Sequence, residues 1–333
     1  MNIFRHCASI LLVVASTIGC HTALADDSAA AAHVKHSLDR DAVCTRCHDE
    51  NEERPVLSIY KTAHGVKADA RTPSCQSCHG ESTAHVQNKS GSAVRPAPDI
   101  LYGYRKPVHS DYKRSAASVQ NESCLNCHNH TAKLAMWAGS QHESRDIACA
   151  ACHRVHVSRD PVMNKVTQPE VCFSCHQTQR AQMHKISTHP VLAGQMACSD
   201  CHNPMGSTGP SLLIKNSVNE TCYMCHADKR GPFLWEHAPV TDNCLNCHTP
   251  HGSNNPTLLK QRAPYLCQDC HSGDHARMSF SGSGLPGGNQ FAIKALTALP
   301  NAGIATQATA RSCMNCHSMV HGSNSPAGAK FQR

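Results

Sequence analysis

The 333-residue sequence has little of what usually builds a protein interior: aromatic residues make up 4%, with two Trp, six Tyr and six Phe. A chain of this length ordinarily closes roughly two domains around apolar cores, so something other than aromatic side chains must fill the inside. Long apolar runs are scarce too. The stretch from Ala8 to Gly19 is the main one, and it falls short of the roughly 20 residues that a bilayer-spanning helix needs. No later segment is apolar enough to span, which excludes a chain that crosses a membrane by its own helices. Residues 1–25 read instead as an export leader, with Arg5 in a short basic start, that apolar run, and Ala23-Leu24-Ala25 as a small-residue cleavage site. The mature chain is then expected to begin near Asp26. A lipoprotein leader ending at Cys20 is the alternative, for which Thr17 is a poor residue three positions earlier.

What the sequence has in excess is cysteine and histidine, 22 and 26 residues. One pattern organises them: Cys, two residues, Cys, His, repeated ten times at Cys44/Cys47, Cys75/Cys78, Cys124/Cys127, Cys149/Cys152, Cys172/Cys175, Cys198/Cys201, Cys222/Cys225, Cys244/Cys247, Cys267/Cys270 and Cys313/Cys316. The following histidines are His48, His79, His128, His153, His176, His202, His226, His248, His271 and His317. With Cys7 and Cys20 in the leader, the motifs use every remaining cysteine. In an exported chain many cysteines first suggest disulfides, and CxxC pairs suggest redox or zinc sites. Neither requires a histidine after every pair. Covalent haem c attachment does, because Cys at i and i+3 and His at i+4 share one face of a helical turn. Two thioether bonds fix the macrocycle edge while the histidine reaches the iron, so ten covalently attached haem c groups are expected.

Each iron has a second axial position. The motifs fall into five tandem doublets, each with one ligand candidate between its motifs and one after the second, which is the repeat signal. The interior candidates are His64, His142, His189, His237 and His275; the trailing ones are His85, His156, Met205, His251 and His321. Met205 therefore stands in a ligand slot, "CHNPMG" against "CHTPHG". A residue three positions past a proximal histidine spans at most about 10 Å of chain, too little to pass round its own macrocycle. Crosswise ligation within each doublet is expected: the trailing residue serves the first haem and the interior histidine the second. That pairs Met205 with His176, and His189 with His202. His33, His36, His109 and His130 read as solvated, while His184 competes with Met205 for its site. His/Met ligation raises a haem's reduction potential relative to His/His, so Met205 would make a shallow electron trap midway along the chain.

About 31 residues per haem cannot wrap each macrocycle separately, so haems must pack on haems near van der Waals distance, roughly 4 Å. Electrons could then pass from iron to iron, and the macrocycles would serve as the core. The expected fold is mostly irregular, with short α-helices at the motifs and little or no β structure. Residues 86–121 and 276–311 read as surface loops, partner contacts or plain linkers. The mature polypeptide is near +6, but two propionates per haem make the holoprotein mildly acidic. Basic clusters such as Tyr104-Arg105-Lys106 then serve propionates rather than nucleic acid, for which no motif is present.

The stretches "ACAACHRVHVSRDPV", "ACSDCHNPMGS", "TCYMCHADKRGPFLWEHAPVTDNCLNCHTPHGS" and "RSCMNCHSMVHGSNSP" resemble the MtrA/DmsE family of decahaem cytochromes over nearly the whole mature chain. The resemblance implies an elongated wire of two pentahaem halves, here 26–194 and 195–333. It implies a periplasmic protein inserted into an outer-membrane β-barrel, carrying electrons between periplasmic or inner-membrane cytochromes and an extracellular multihaem cytochrome or terminal reductase. Such chains serve metal reduction, sulfoxide respiration or iron oxidation and are electron carriers rather than enzymes. Met205 departs from the bis-histidine ligation the family leads one to expect. A free periplasmic electron shuttle or store is the alternative, and a multihaem oxidoreductase with one open haem a further one.

Overall fold

The computed structural model describes residues 27–52, 55–66, 71–89, 91, 93–103, 112–271, 313–326 and 328–331. The expected leader, His275, His109, Tyr104-Arg105-Lys106 and the insertion 276–311 lie outside the described residues. Short helices alternate with irregular chain, and among the described residues no strand is formed. The α-helices are α1 (Asp27–Thr45), α2 (Cys75–His79), α3 (Thr83–Gln87), α4 (Ala117–His128), α5 (Gln168–Phe173), α6 (Gln177–Met183), α7 (Val218–Tyr223), α8 (Ala238–Asp242) and α9 (Tyr265–Gln268).

Their placement follows the motifs. The first motif of every doublet starts on a helix, within α1, α4, α5, α7 or α9, and the second on α2 or on a 3₁₀ turn at Cys149, Cys198, Cys244 or Cys313. Local chemistry starts these helices: Ser74 and Ser77 form a capping box on α2, Ser217 accepts from the Glu220 amide at α7, and Pro169 occupies the first turn of α5.

The two motifs of a doublet are fastened by a buried polar clamp. Asp41 Oδ1 accepts the Cys75 amide at 2.7 Å, Asn121 Oδ1 that of Cys149 at 2.7 Å, and Asn219 Oδ1 that of Cys244 at 2.8 Å. Each clamp lies three residues before the first cysteine of its doublet. Pro169 holds that position in the third doublet, and Gln168, one residue earlier and one methylene longer than Asn, takes the Ser199 amide at 2.9 Å. All four are under 9% exposed. Their remaining polar atoms are also paired, Asn219 Nδ2 donating to Val240 O and Thr241 O and Gln168 Nε2 to Val162 O. Removing one partner of such a bond costs roughly 1–3 kcal/mol, because a buried group is then orphaned.

Consecutive doublets are joined by isolated backbone bridges, Ser187 with Ser253 and Trp235 with Ser323. Each bridge brackets two ligand candidates: His189 and His251 lie two residues inside the first, His237 and His321 two inside the second. Trp235 Nε1 also donates to Ser325 O, seating the C-terminal turn on the segment 233–237. The apolar core of the polypeptide itself is small. Six hydrophobic side chains are buried among the described residues, and Phe173, Met183 and Val191 form a cluster with Met196 against it.

Candidate metal centres

At eight motifs the histidine amide closes on the carbonyl of the first cysteine at 2.8–3.1 Å, the i to i+4 turn that sets the first cysteine and the histidine on one face. None of the twenty described cysteines is consumed in a disulfide. The first cysteines of a doublet lie side by side: Cys44 with Cys75, Cys124 with Cys149, Cys172 with Cys198, Cys222 with Cys244 and Cys267 with Cys313. Between doublets the cysteines of consecutive motifs are near enough to interact electrostatically, Cys78 with Cys124 and Cys127, Cys152 with Cys175, Cys201 with Cys225 and Cys247 with Cys270. The ten motifs therefore neighbour one another in chain order.

Cys47 and Cys316 are exposed, and so are Cys127, Cys175, Cys225 and Cys270, whereas every first cysteine is half-buried.

Eight proximal histidines face a second imidazole across a constant gap. Ring centroids are 6.1 Å apart for His48 and His85, 6.2 Å for His79 and His156, and 6.0 Å for His64 and His128. They are 6.2 Å apart for His142 and His176, 6.0 Å for His202 and His251, and 6.3 Å for His189 and His226. The last two pairs are His248 with His321 at 6.2 Å and His237 with His271 at 6.1 Å. Interplanar angles range from 8° to 85°, so aromatic stacking does not set the spacing. Two metal–imidazole bonds of about 2 Å each account for about 4 Å of it, and the half-widths of the rings for the rest. The residues therefore fit an iron between each pair.

Nine ring Nδ1 atoms are anchored on backbone carbonyls, which leaves Nε2 to face the gap. His79 bonds Ile100 O at 2.9 Å, His142 bonds Pro204 O at 2.8 Å, His189 bonds Pro250 O at 2.8 Å, His202 bonds Ser211 O at 2.9 Å and His248 bonds Thr257 O at 2.8 Å. His85, His156, His237 and His317 do the same with Pro96, Val56, Val320 and Lys330. Two proximal histidines use carboxylates instead, His48 with Glu52 and His153 with Asp160, both at 2.7 Å. Burial pushes the imidazoles of His79, His248, His251 and His321 below their ordinary range, which keeps them neutral and their lone pairs available.

The crosswise exchange expected within doublets is not what the rings do, except at His85 and His48. An interior histidine reaches forward to the first motif of the next doublet, so His64 faces His128 rather than His79, and His189 faces His226 rather than His202. A trailing histidine reaches back to the second motif of the preceding doublet, His156 to His79, His251 to His202 and His321 to His248. At the last two joints a backbone bridge fixes both candidates at the joint rather than inside a unit. Met205 sits in the same turn as His251 and His321: the residue before each of the three, Pro204, Pro250 and Val320, takes the Nδ1 of an interior histidine. Counting back two motifs from Met205 leads to His153, not His176, whose ring faces His142. His184 lies exposed at the end of α6, its amide bonded to Ala181 O.

Sequence reasoning missed the clamps, although Asp41, Asn121 and Asn219 share one spacing before a cysteine. It also missed the anchoring carbonyls, which only the folded turns reveal.

Residues 189–231 and 237–276 match the doubled CXXCH motif family, and residues 75–168 match the family described as cytochrome c-type protein NrfB-like. Over 296 residues, 87% of this chain and 80% of the relative, the sequence is 47% identical to the multihaem cytochrome MtrA of Shewanella baltica. The chain belongs to the MtrA family. A more distant relative, the cytochrome c-type protein NrfB of Haemophilus influenzae, is 26% identical over 214 residues, covering 56% of this chain and 90% of that protein. Membership in this family makes the chain a multihaem cytochrome c that transfers electrons, with haem bound covalently at its CXXCH motifs. The near absence of a polypeptide core follows, since attached macrocycles stabilise the family as disulfides or metals stabilise other small cores.

Proposed function

We propose that this member of the family binds ten c-type haems and conducts electrons along them through an outer-membrane β-barrel, between periplasmic or inner-membrane cytochromes and an extracellular multihaem cytochrome or terminal reductase. One observation supports the reading most: first cysteines pair within each doublet and facing imidazoles cross every joint between doublets, so the attachment sites follow one another in chain order. Haem c supplies one-electron chemistry at iron. The chain's residues would do the rest, two axial side chains holding each iron and leaving no site for substrate, as befits a carrier rather than an enzyme. Eight sites take the facing histidine pairs. The ninth, at His153, takes Met205 by the register of the trailing turns, and the tenth, at His317, is assigned His275. The two halves proposed, 26–194 and 195–333, then carry five haems each, with the higher-potential site in the first.

Among the described residues no helix is long and apolar enough to cross a membrane. Irregular backbone in contact with lipid would leave unsatisfied polar groups, which supports a barrel as the sheath. Periplasmic localisation follows the export leader read from residues 1–25. The mass of the mature protein should exceed that of the polypeptide by ten haems, and near-infrared magnetic circular dichroism should count nine His/His sites and one His/Met. Fewer haems, or a vacant axial position, would restore the oxidoreductase reading. Purification of the native complex should recover a barrel protein; recovery of the cytochrome alone would favour a free shuttle.

A further inference from the structure

Three homologous turns follow the second motifs of the second, third and fourth doublets, and they hold the proximal histidine in two ways. After His202 and His248 the chain runs Pro210-Ser211-Leu212 and Pro256-Thr257-Leu258, and in each the last two residues adopt positive φ, between 52° and 60°. None of the four is glycine, so this conformation carries a cost on the order of 1 kcal/mol or more per residue. It aims the Ser211 and Thr257 carbonyls at the Nδ1 of His202 and His248. After His153 the corresponding Pro161-Val162-Met163 has no positive φ, and the partner is a carboxylate from the residue before it: Asp160 Oδ2 lies 2.7 Å from His153 Nδ1. Asp160 Oδ1 accepts the amides of Arg154 at 3.2 Å and Val162 at 3.3 Å, which fixes the carboxylate's orientation. Its side chain is 19% exposed, so water screens the contact only in part.

A carboxylate on Nδ1–H draws the proton away and makes the imidazole a stronger donor, which favours ferric over ferrous iron. A thioether in the sixth position does the reverse. We propose that Asp160 is a positioning residue that lowers the potential of the fourth site and offsets Met205, keeping that haem in range of its neighbours. The offset rests on the assignment of Met205 to His153; the carboxylate contact does not. Glu52 at His48 is the internal comparison, the same contact at a site whose facing ring is His85.

Asp160→Asn keeps an oxygen for the Arg154 and Val162 amides while removing the charge. In potentiometric titration of the intact decahaem protein, one of ten components should shift to favour reduction about tenfold, which is about 59 mV for one electron. That component should carry the His/Met charge-transfer band. Glu52→Gln should move a different, His/His component in the same direction. Ten unmoved components in Asp160→Asn would overturn the proposal while leaving the Met205 assignment intact. A wild-type protein without a His/Met band would remove the assignment and the offset, and the carboxylate role would still stand or fall on the shift. Should the variant fail to load ten haems, proton NMR of the wild type decides: the Nδ1 proton of the His/Met site should lie downfield of carbonyl-bound ones, and a position among them would refute it.

Discussion

Segments 203–214 and 249–260 share one backbone frame. Asn203 and Thr249 donate to Leu212 and Leu258 carbonyls at 2.8 Å, and Ile214 and Lys260 return to Cys201 and Cys247 at 2.9 Å. Gly206 and Gly252 close their turns on Asn203 and Thr249, and Ser207 and Ser253 both bond a leucine carbonyl six residues on. These bonds survive six sequence differences, Met205 against His251 in the ligand slot among them. The frame is therefore made by backbone and glycine, and the axial residue is a choice the frame permits. A potential can be changed at one site without refolding its neighbours.

The largest effect should come from breaking the frame. A Cβ on Gly252 would lie 2.0 Å from Gln182 O, and one on Gly206 2.0 Å from Met136 O, both at positive φ. Gly252→Ala and Gly206→Ala should each cost about 3 kcal/mol or more, seen as a drop in Tm together with incomplete haem loading. If either variant folds with ten haems and an unchanged Tm, the turn is not the rigid element described.

Exchanging the ligands within an intact frame comes next. Met205→His should lower one potential, and His251→Met raise another, each on the order of 100 mV, which is about 2.3 kcal/mol per electron. Met205→His should also abolish the His/Met band, while His251→Met should double it. Retention of the band in Met205→His would return the site to another ligand, with His184 the first to try.

Asn219→Leu removes the clamp of the fourth doublet and orphans the Cys244 amide, at about 1–3 kcal/mol. Gln168→Leu should cost a similar amount in the third, since Gln168 does the same work from one residue further away. Denaturant unfolding of both variants would compare them directly.

How much of this was legible in the sequence divides along the same line. The ten motifs, the short helices on them and the poverty of apolar core are local or compositional, and each was read correctly from spacing. Which ring faces which was not, because the distance argument treated a doublet as a unit. The bridge from Ser187 to Ser253 spans 66 residues and shows that the joint between doublets is the unit. Isolated bridges leave no periodic pattern of alternation to detect. Asp160 was invisible for a similar reason: beside a proline it reads as a turn former, and only the fold turns its carboxylate toward His153.

The smallest effects should lie at the surface of the fourth doublet. Ser217 caps α7 by accepting the Glu220 amide at 3.1 Å, and Ser217→Ala should cost about 1 kcal/mol. Glu220 also meets Arg230 at 3.1 Å, with side chains 47% and 59% exposed. Such a pair contributes little against solvent screening and side-chain entropy, so Glu220→Gln should change stability by no more than about 0.5 kcal/mol. The two variants share one helical turn, and unfolding at low and high salt separates them: the cap loss should persist in both, whereas any effect of Glu220→Gln should vanish at high salt. A Glu220→Gln loss as large as that of Ser217→Ala, and insensitive to salt, would mean that this turn is held by charge rather than by its cap.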